Sequence, residues 1–161
     1  MKSPAFSYYL AKDLADAINI KKSDDDAVIL AGGKSLLPTL NMRLSSPSVL
    51  IDIGNINELK KIKVDDSYLI MGAMCSHSQI MNNKEVNEKF PLLNKLLAQV
   101  AHPAIRNKGT HGGSIAYGDP AAELPAFAVL VNAEIILSGP NGERTVSAKA
   151  VSYTHLRAHE T

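Results

Sequence analysis

Two glycine-centred segments carry the clearest chemical potential in this sequence. They are Ala31-Gly32-Gly33-Lys34-Ser35-Leu36-Leu37-Pro38 and Arg106-Asn107-Lys108-Gly109-Thr110-His111-Gly112-Gly113-Ser114. Glycine has no Cβ and readily adopts positive φ, so the backbone N–H groups beside it can approach an anion that side chains would crowd out. We expect the two segments to form two halves of one cradle for the diphosphate of a nucleotide-type cofactor.

A strand, a turn and a helix are predicted to position the first segment. Residues 27–30 form a short apolar run typical of a buried strand, and Gly32-Gly33 follows almost at once. Apolar residues then recur at helical spacing over residues 35–44. Because the free N–H groups and the dipole of a helix start stabilise anions, this order favours a phosphate here.

The second segment follows an amphipathic pattern. One helical face carries Leu92, Leu93, Leu96, Leu97 and Val100, and the helix ends near the His-Pro pair at 102–103.

Further helices are predicted over residues 13–20 and 120–131. The predicted strands are residues 49–53, a hairpin of 61–64 with 68–71, and a hairpin of 134–138 with 144–147. This alternation, without any internal repeat, indicates the α+β or α/β class.

The last eleven residues need separate treatment. Residues 151–161 resemble, residue for residue, the translation of a transposase adapter used in sequencing-library preparation. We therefore expect the domain to comprise residues 1–150 and to be incomplete at its C-terminus, with 151–161 as a non-native appendage. His155 and His159 are then no metal site, despite their helical spacing.

Composition narrows the function classes. Nucleic-acid binding is disfavoured, because the net charge is only +1 and the sequence has no tryptophan to stack on bases. Cys75 is the only cysteine, so any four-thiolate iron–sulfur cluster must belong to a partner. No apolar run reaches membrane-spanning length and the N-terminus has no apolar signal core, so we expect a cytoplasmic protein without a membrane span.

Several motifs together resemble the FAD-binding medium subunit of the molybdenum hydroxylases, the family of xanthine dehydrogenase and aerobic carbon monoxide dehydrogenase. In the family's order and spacing they are the segment 31–38, Val49-Leu50-Ile51-Asp52-Ile53, Gly72-Ala73-Met74, the segment 105–114, and Asp119-Pro120-Ala121-Ala122-Glu123-Leu124-Pro125. The resemblance spans almost all of residues 1–150. It implies an α+β fold of the PCMH type, similar to vanillyl-alcohol oxidase, in which two α/β lobes divided near residues 55–60 hold an extended FAD.

The resemblance also implies which residues contact FAD. In that family the first loop wraps the pyrophosphate, the second approaches it from the other lobe, and Glu123 matches a position that contacts the cofactor. The implied contacts are Leu30, Ala31, Gly32, Gly33, Lys34, Ser35, Leu36, Leu37, Thr110, His111, Gly112, Gly113, Ser114 and Glu123. No side chain is predicted to be a catalytic acid or base or a metal ligand, because the flavin carries the chemistry.

The role implied by the resemblance is electron transfer. A large subunit with the molybdenum cofactor would oxidise the substrate, and a small 2Fe-2S subunit would pass the electrons to the FAD of this chain. NAD, quinone or oxygen would then accept them. The three subunits are expected to assemble as a dimer of heterotrimers.

Some residues depart from the family pattern or attract weaker hypotheses. Lys34 stands where the family often has an uncharged polar residue, and it either adds a positive charge beside the diphosphate or is solvated. His111 replaces a common Ile or Val. We interpret it as a tolerated loop substitution, with tuning of flavin protonation as the alternative. His77 and His102 lie near helix boundaries, where capping or surface roles are expected, and Cys75 is interpreted as a small hydrophobe.

Two other functions compete with the flavin hypothesis. The run from Val28 to Ser35 ends in Gly-Lys-Ser, as in a phosphate-binding loop of an NTPase, but that motif requires glycine where Val28 stands. The chain could also be a structural adaptor that has lost its flavin. The intact glycines of both segments argue against that alternative.

Overall fold

The structure, a computed structural model, describes residues 2–151. The predicted adapter segment therefore lies outside the described residues from position 152 onward. The strands are β1 (Ser7–Leu10), β2 (Val28–Leu30), β3 (Val49–Asp52), β4 (Ile62–Val64), β5 (Leu69–Met71), β6 (Glu134–Gly139) and β7 (Gly142–Ser147). The helices are α1 (Leu14–Ser23), α2 (Leu36–Asn41), α3 (His77–Met81), α4 (Lys84–Lys89), α5 (Pro91–Leu97), α6 (Pro103–Arg106), α7 (His111–Tyr117) and α8 (Glu123–Leu130), with a 3-10 turn at Asn57–Lys60.

A three-stranded parallel sheet forms the first lobe, which comprises β1 to β3 with α1 and α2. Its strand order is β1-β3-β2, so β3 is central, and Leu50 pairs with Tyr8 on one side and Val28 on the other. The predicted strands β2 and β3 are confirmed. Strand β1 is not among the strands predicted from the sequence, although its two tyrosines favour a strand.

The core of this lobe is built on Ile51, which is completely buried. Helix α1 covers it and presents Ala17, a side chain small enough for close approach. This helix begins where Asp13 caps it, accepting a hydrogen bond from the backbone N–H of Asp16 at 2.8 Å. Full burial of a side chain of this size stabilises the fold by about 1.5–3 kcal/mol.

The second lobe comprises β4 to β7 and the helices from α3 to α8. Its strands form two antiparallel hairpins, β4-β5 and β6-β7, at the predicted positions. Helix α5 supplies Leu93 and Leu97 to a second core, and α8 supplies Leu124. Both helices agree with the predicted ones, although each is shorter than its apolar pattern suggests. The predicted lobe boundary near residues 55–60 stays a prediction.

The second glycine segment is not the loop that the sequence suggests. Helix α6 begins with Pro103 at its first position, and α7 begins immediately after Thr110. Gly112 and Gly113 therefore lie inside α7, and the helix ends at Gly118, which has a left-handed φ of 66°. A threonine cap outweighs the poor helix propensity of two glycines at the helix start. No helix among residues 2–151 has the length and apolar character needed to cross a bilayer.

Candidate diphosphate site at the joint between the lobes

The first glycine loop presents a run of unpaired backbone donors. Within the part of the chain that the structure describes, the N–H groups of residues 32–35 donate no hydrogen bond to the protein. Gly33 has a φ of 69°, a left-handed conformation that glycine adopts without strain. Successive N–H groups around a left-handed residue form a concave surface that binds anions. The loop therefore has the chemistry of a phosphate cradle.

The sheet positions this loop at its carboxyl edge. Pairing of β2 with β3 ends where Leu30 lies opposite Asp52, and the backbone N–H of Ile53 donates to the Leu30 carbonyl at 3.1 Å. The chain then turns at Gly33, whose carbonyl accepts the first hydrogen bond of α2 from Leu37 at 3.1 Å. Open parallel sheets commonly bind ligands at this edge.

The second segment has its backbone donors already occupied. The N–H of His111 donates to the Cys75 carbonyl at 2.9 Å, and that of Gly112 donates to the Ala73 carbonyl at 2.9 Å. The N–H of Gly113 donates to the hydroxyl of Thr110 at 3.2 Å. The expectation that this glycine pair frees N–H groups for an anion is therefore wrong. Thr110 is buried, and its hydroxyl caps α7.

Glycine is needed at these positions for contact between chain segments. A Cβ on Gly32 would lie 2.2 Å from the Lys108 carbonyl oxygen, and one on Gly112 would lie 2.4 Å from the Cβ of Ala73. A Cβ on Gly113 would lie 2.7 Å from the hydroxyl oxygen of Thr110 and in ordinary contact, at 3.5 Å, with the Cβ of Ala31. The two glycine segments thus touch directly. The contact of residues 31–32 with residues 108–113 joins the two lobes, whereas residues 73–77 contact residues 108–113 within the second lobe. We call these two contacts together the interlobe joint.

Two histidines lie in the interlobe joint. His77 is only 4% exposed, and a Cβ on Gly109 would lie 2.8 Å from its ring. His111 is the first residue of α7. The Nδ1 atoms of both rings are buried and have no hydrogen-bond partner among residues 2–151. The surface or capping role expected for His77 is wrong, because Ser76 caps α3 and the imidazole packs inside the joint.

Burial decides the protonation of this pair. It lowers the pKa of His77, an effect that the negative charge of Glu123 opposes and the positive charge of Arg106 reinforces. Burial also lowers the pKa of His111 to about 4, and the nearby His77 contributes to that shift. Both imidazoles are therefore neutral near pH 7. His111 lies in a helix rather than in the loop that our substitution hypothesis assumes.

The remaining predicted contacts occupy varied environments. Leu30 and Leu37 flank Gly33, within 3.1 Å of where its Cβ would lie. Lys34 and Ser35 are exposed, and Lys34 makes no ion pair among the described residues. Leu36 and Ser114 are half-buried, in α2 and α7 respectively.

Glu123 belongs to the second lobe and to neither of the glycine segments. It is half-buried at the start of α8, where its carboxylate has no hydrogen-bond or ion-pair partner within residues 2–151. Its negative charge opposes the lowering of the His77 pKa, so Glu123 lies near that side chain. A carboxylate without a partner remains available to accept hydrogen bonds from a ligand.

The sequence patterns give no role to the residues that form the rest of the joint. Ala73 lies against Gly112, and the backbone carbonyl of Lys108 lies against Gly32. Gly72 belongs to one of the family motifs, and a Cβ on it would lie 2.3 Å from the Leu59 carbonyl oxygen. The only sequence signal for these residues is a glycine beside another small residue. Such a pair indicates that another chain segment approaches closely, but it does not show which segment.

Comparison with known proteins identifies the family. The family model described as the FAD binding domain in molybdopterin dehydrogenase matches residues 4–159. The chain belongs to this family. FAD is the cofactor that the family description names, and the predicted resemblance is confirmed.

Relatives and solved structures agree with this assignment. The chain is 38% identical over 157 residues to the 6-hydroxypseudooxynicotine dehydrogenase complex subunit alpha of Paenarthrobacter nicotinovorans, covering 97% of this chain and 53% of the relative. It is 40% identical over 149 residues to the carbon monoxide dehydrogenase medium chain of Hydrogenophaga pseudoflava, covering 92% and 52%. Quinoline 2-oxidoreductase from Pseudomonas putida 86 superposes with a TM-score of 0.90 at 43% identity, covering 92% and 52%. The chain therefore spans about half the length of these relatives, and the predicted α+β FAD-binding fold is confirmed.

The residues present fit the diphosphate part of FAD. The unpaired N–H groups of residues 32–35 provide neutral donors, and the exposed Lys34 lies among them. The free carboxylate of Glu123 suits a hydroxyl or a ring N–H. A nucleotide-hydrolysing loop does not fit, because Val28 is the first residue of β2 and pairs with Leu50.

Proposed function

We propose that this chain is the FAD-binding electron-transfer part of a molybdenum-containing hydroxylase or dehydrogenase, an oxidoreductase. The observation that carries the proposal is the row of unpaired N–H groups at residues 32–35, at the carboxyl edge of a parallel sheet. Such donors stabilise a diphosphate without a proton to lose, so binding is insensitive to their titration. Membership of the FAD-binding family supports the same assignment.

The two segments have different roles in this proposal. Residues 30–37 hold the diphosphate, with Lys34 adding positive charge. The second segment, including residues 110–114, acts mainly as a rigid wall, because its N–H groups are occupied and its contact with Gly32 sets the position of the first loop. Glu123 accepts hydrogen bonds from the ribityl or ribose hydroxyls or from a ring N–H. When bound, FAD supplies one- and two-electron chemistry that no side chain of this chain provides.

The proposal requires other chains. Cys75 is the only cysteine and is completely buried, whereas a 2Fe-2S cluster needs four ligands. We infer that a small 2Fe-2S subunit delivers electrons from a large subunit with the molybdenum cofactor, in a dimer of heterotrimers. The final acceptor is NAD, quinone or oxygen. Relatives named as a medium chain and as a complex subunit support this division. A cytoplasmic location suits a buried thiol that stays reduced.

Replacement of Gly33 tests the loop. Gly33→Leu puts a branched side chain on a residue with a φ of 69° and fills the space beside the donors, so FAD affinity should fall at least about tenfold. The measurement is titration of the flavin-free protein with FAD, followed by flavin absorbance and fluorescence. Gly139→Ala is the matched control, because a Cβ there meets no atom within 4 Å, and it should bind FAD as the wild type does.

The same titration separates the competing functions. Far-UV circular dichroism of Gly33→Leu shows whether the fold is retained. Full FAD occupancy in a folded Gly33→Leu protein would contradict the loop assignment. Wild-type protein that binds ATP and not FAD would support the NTPase, and binding of neither would support the adaptor.

A further inference from the structure

A cavity of about 330 Å³ lies in the second lobe, between α7, α8 and the hairpin β6-β7. Ile115 of α7, Val129 of α8 and Ile135 of β6 line it, together with Ala148, which follows β7. Asp119 is the one charged residue in its lining within the described chain. Because burial of an unpaired charge or polar group is costly, such a cavity suits apolar side chains rather than a nucleotide or a charged substrate.

Helix α8 is apolar on both of its sides. Every residue of this helix except Glu123 at its start is apolar, and Leu124 and Phe127 are buried in the core of the second lobe. Ala126 and Val129 lie along the cavity instead, and Ala126 is exposed. A helix that is apolar all round is normally buried all round. The cavity side of α8 therefore lacks a covering element among residues 2–151.

The hairpin β6-β7 shows the same lack of cover. In the described part of the chain its two strands pair only with each other, so the outer edge of each strand is unpaired. Ile136 of β6 is 62% exposed, although the neighbouring Ile135 packs against the core. A two-stranded hairpin is only marginally stable in water unless a further strand or a helix packs with it.

The end of the described chain lies at this cavity. Val151, the last described residue, lines the cavity and packs against the core of the second lobe. A polypeptide that continued from this point would meet the cavity at once, and a segment tethered so closely has a high effective concentration there. The relatives named above contain about as much chain again outside the match, so a full-length member of this family has further chain available to cover the cavity.

We propose that this cavity seats the native continuation of the chain beyond residue 150, which would replace the adapter-like segment 151–161 in the full-length protein. Large apolar side chains of that continuation fill the space beside Val129 and Ile135. An apolar cavity of about 150 Å³ takes up a benzene ring, so this one has room for roughly two such rings. The second lobe is thus completed by its own chain rather than by a partner subunit, and flavin is not needed for the contact.

Thiol labelling of cysteine variants tests this cover. Ala126→Cys places a thiol on the exposed wall of the cavity, whereas the matched control Ala98→Cys places one on an exposed residue outside it. The native Cys75 is completely buried and should add only a slow background. Both introduced thiols should react quickly with a maleimide in the 161-residue chain. In the flavin-free full-length protein Ala126→Cys should react at least about tenfold more slowly, and Ala98→Cys should keep its rate.

Three results would overturn the proposal. Equal labelling rates of Ala126→Cys in the two proteins would show that the continuation does not cover α8. Slow labelling of the 161-residue chain that appears only at high protein concentration would assign the surface to a second copy. Protection of the full-length protein that appears only with FAD, or only with partner subunits, would assign it to the cofactor or to the complex.

The full-length protein alone decides the question if the 161-residue chain does not fold. Ala126→Cys should then react at least about tenfold more slowly than Ala98→Cys, and equal rates would contradict the proposal. Val129→Phe provides a second measurement, because a larger side chain overpacks a cavity that is already filled. It should lower the urea midpoint of the full-length protein, and a raised midpoint would show that the space is still empty.

Discussion

At the residue scale, Gly32 serves the contact between lobes and the diphosphate loop together. Its Cα faces the Lys108 carbonyl so closely that no other residue type fits without backbone movement. Its N–H group, meanwhile, remains unpaired within the described chain. Gly32 thus meets two separate requirements, a close contact with the other lobe and a free backbone donor, which the sequence does not distinguish. Gly33 differs, because its positive φ rather than its neighbours excludes other residues.

Alanine at position 32 should destabilise the chain. The added methyl group would lie 2.2 Å from a backbone oxygen, which cannot rotate away as a side chain can. We expect the free energy of unfolding of Gly32→Ala to fall by about 1–3 kcal/mol, the usual cost of overpacking. Urea denaturation measures it. Gly139→Ala should unfold with wild-type stability or slightly above it, and equal stability of the two variants would refute the packing role.

At the element scale, α7 determines how the second segment functions. Thr110 holds its first turn, which directs the N–H groups of His111 and Gly112 to the carbonyls of Cys75 and Ala73. The first turn of α7 is therefore hydrogen-bonded to the segment before α3. Gly112 lets this start approach Ala73, and Gly113 lets it approach the Thr110 hydroxyl and Ala31, at a cost in helix propensity of about 1 kcal/mol each.

Removal of the Thr110 hydroxyl should weaken this attachment. Thr110→Val keeps the side-chain shape but leaves the Gly113 N–H without its acceptor, so stability should fall by about 1–2 kcal/mol. Denaturant unfolding followed by circular dichroism gives the value. Thr110→Ser retains the oxygen and should lose clearly less. A serine variant as unstable as the valine variant would show that methyl packing, not the cap, matters here.

At the scale of the whole molecule, the two lobes have separate cores and meet at the interlobe joint. One core surrounds Ile51 of the sheet, and the other includes Leu93, Leu97 and Leu124 of the helices. Between the lobes, the joint contributes the close contacts of Gly32 with the Lys108 carbonyl and of Gly113 with Ala31, whereas its backbone hydrogen bonds lie within the second lobe.

Assembly with partners is the prediction that belongs to this scale. An affinity-tagged copy expressed from the complete operon should bring down a chain with molybdenum cofactor and a chain with 2Fe-2S clusters, because this chain has no cysteine set for a cluster. Mass spectrometry and metal analysis identify both. The matched control is the same tag on an unrelated protein of similar size. Recovery of the tagged chain alone would contradict the electron-transfer proposal.

The sequence by itself determined the local elements and the family. The strand, turn and helix around Gly32 and Gly33 follow from apolar spacing and from a positive φ that glycine tolerates, both of which depend on neighbouring residues. The helices α5 and α8 and both hairpins are predictable for the same reason. The motifs alone suffice to indicate FAD, because their residues and order are specific to one family.

Only the tertiary structure decided which groups remain free. In sequence, Gly112 and Gly113 resemble an anion cradle. In the structure their N–H groups donate to the Ala73 carbonyl and the Thr110 hydroxyl, and only the packing and the helix cap identify these acceptors. His77 and His111 likewise resemble boundary and loop residues in sequence, whereas the fold buries the Nδ1 atoms of both rings. Burial and hydrogen-bond pairing depend on segments far apart in the chain, whereas sequence patterns report on neighbours. Donors at residues 32–35 are free because nothing else in the described fold reaches them.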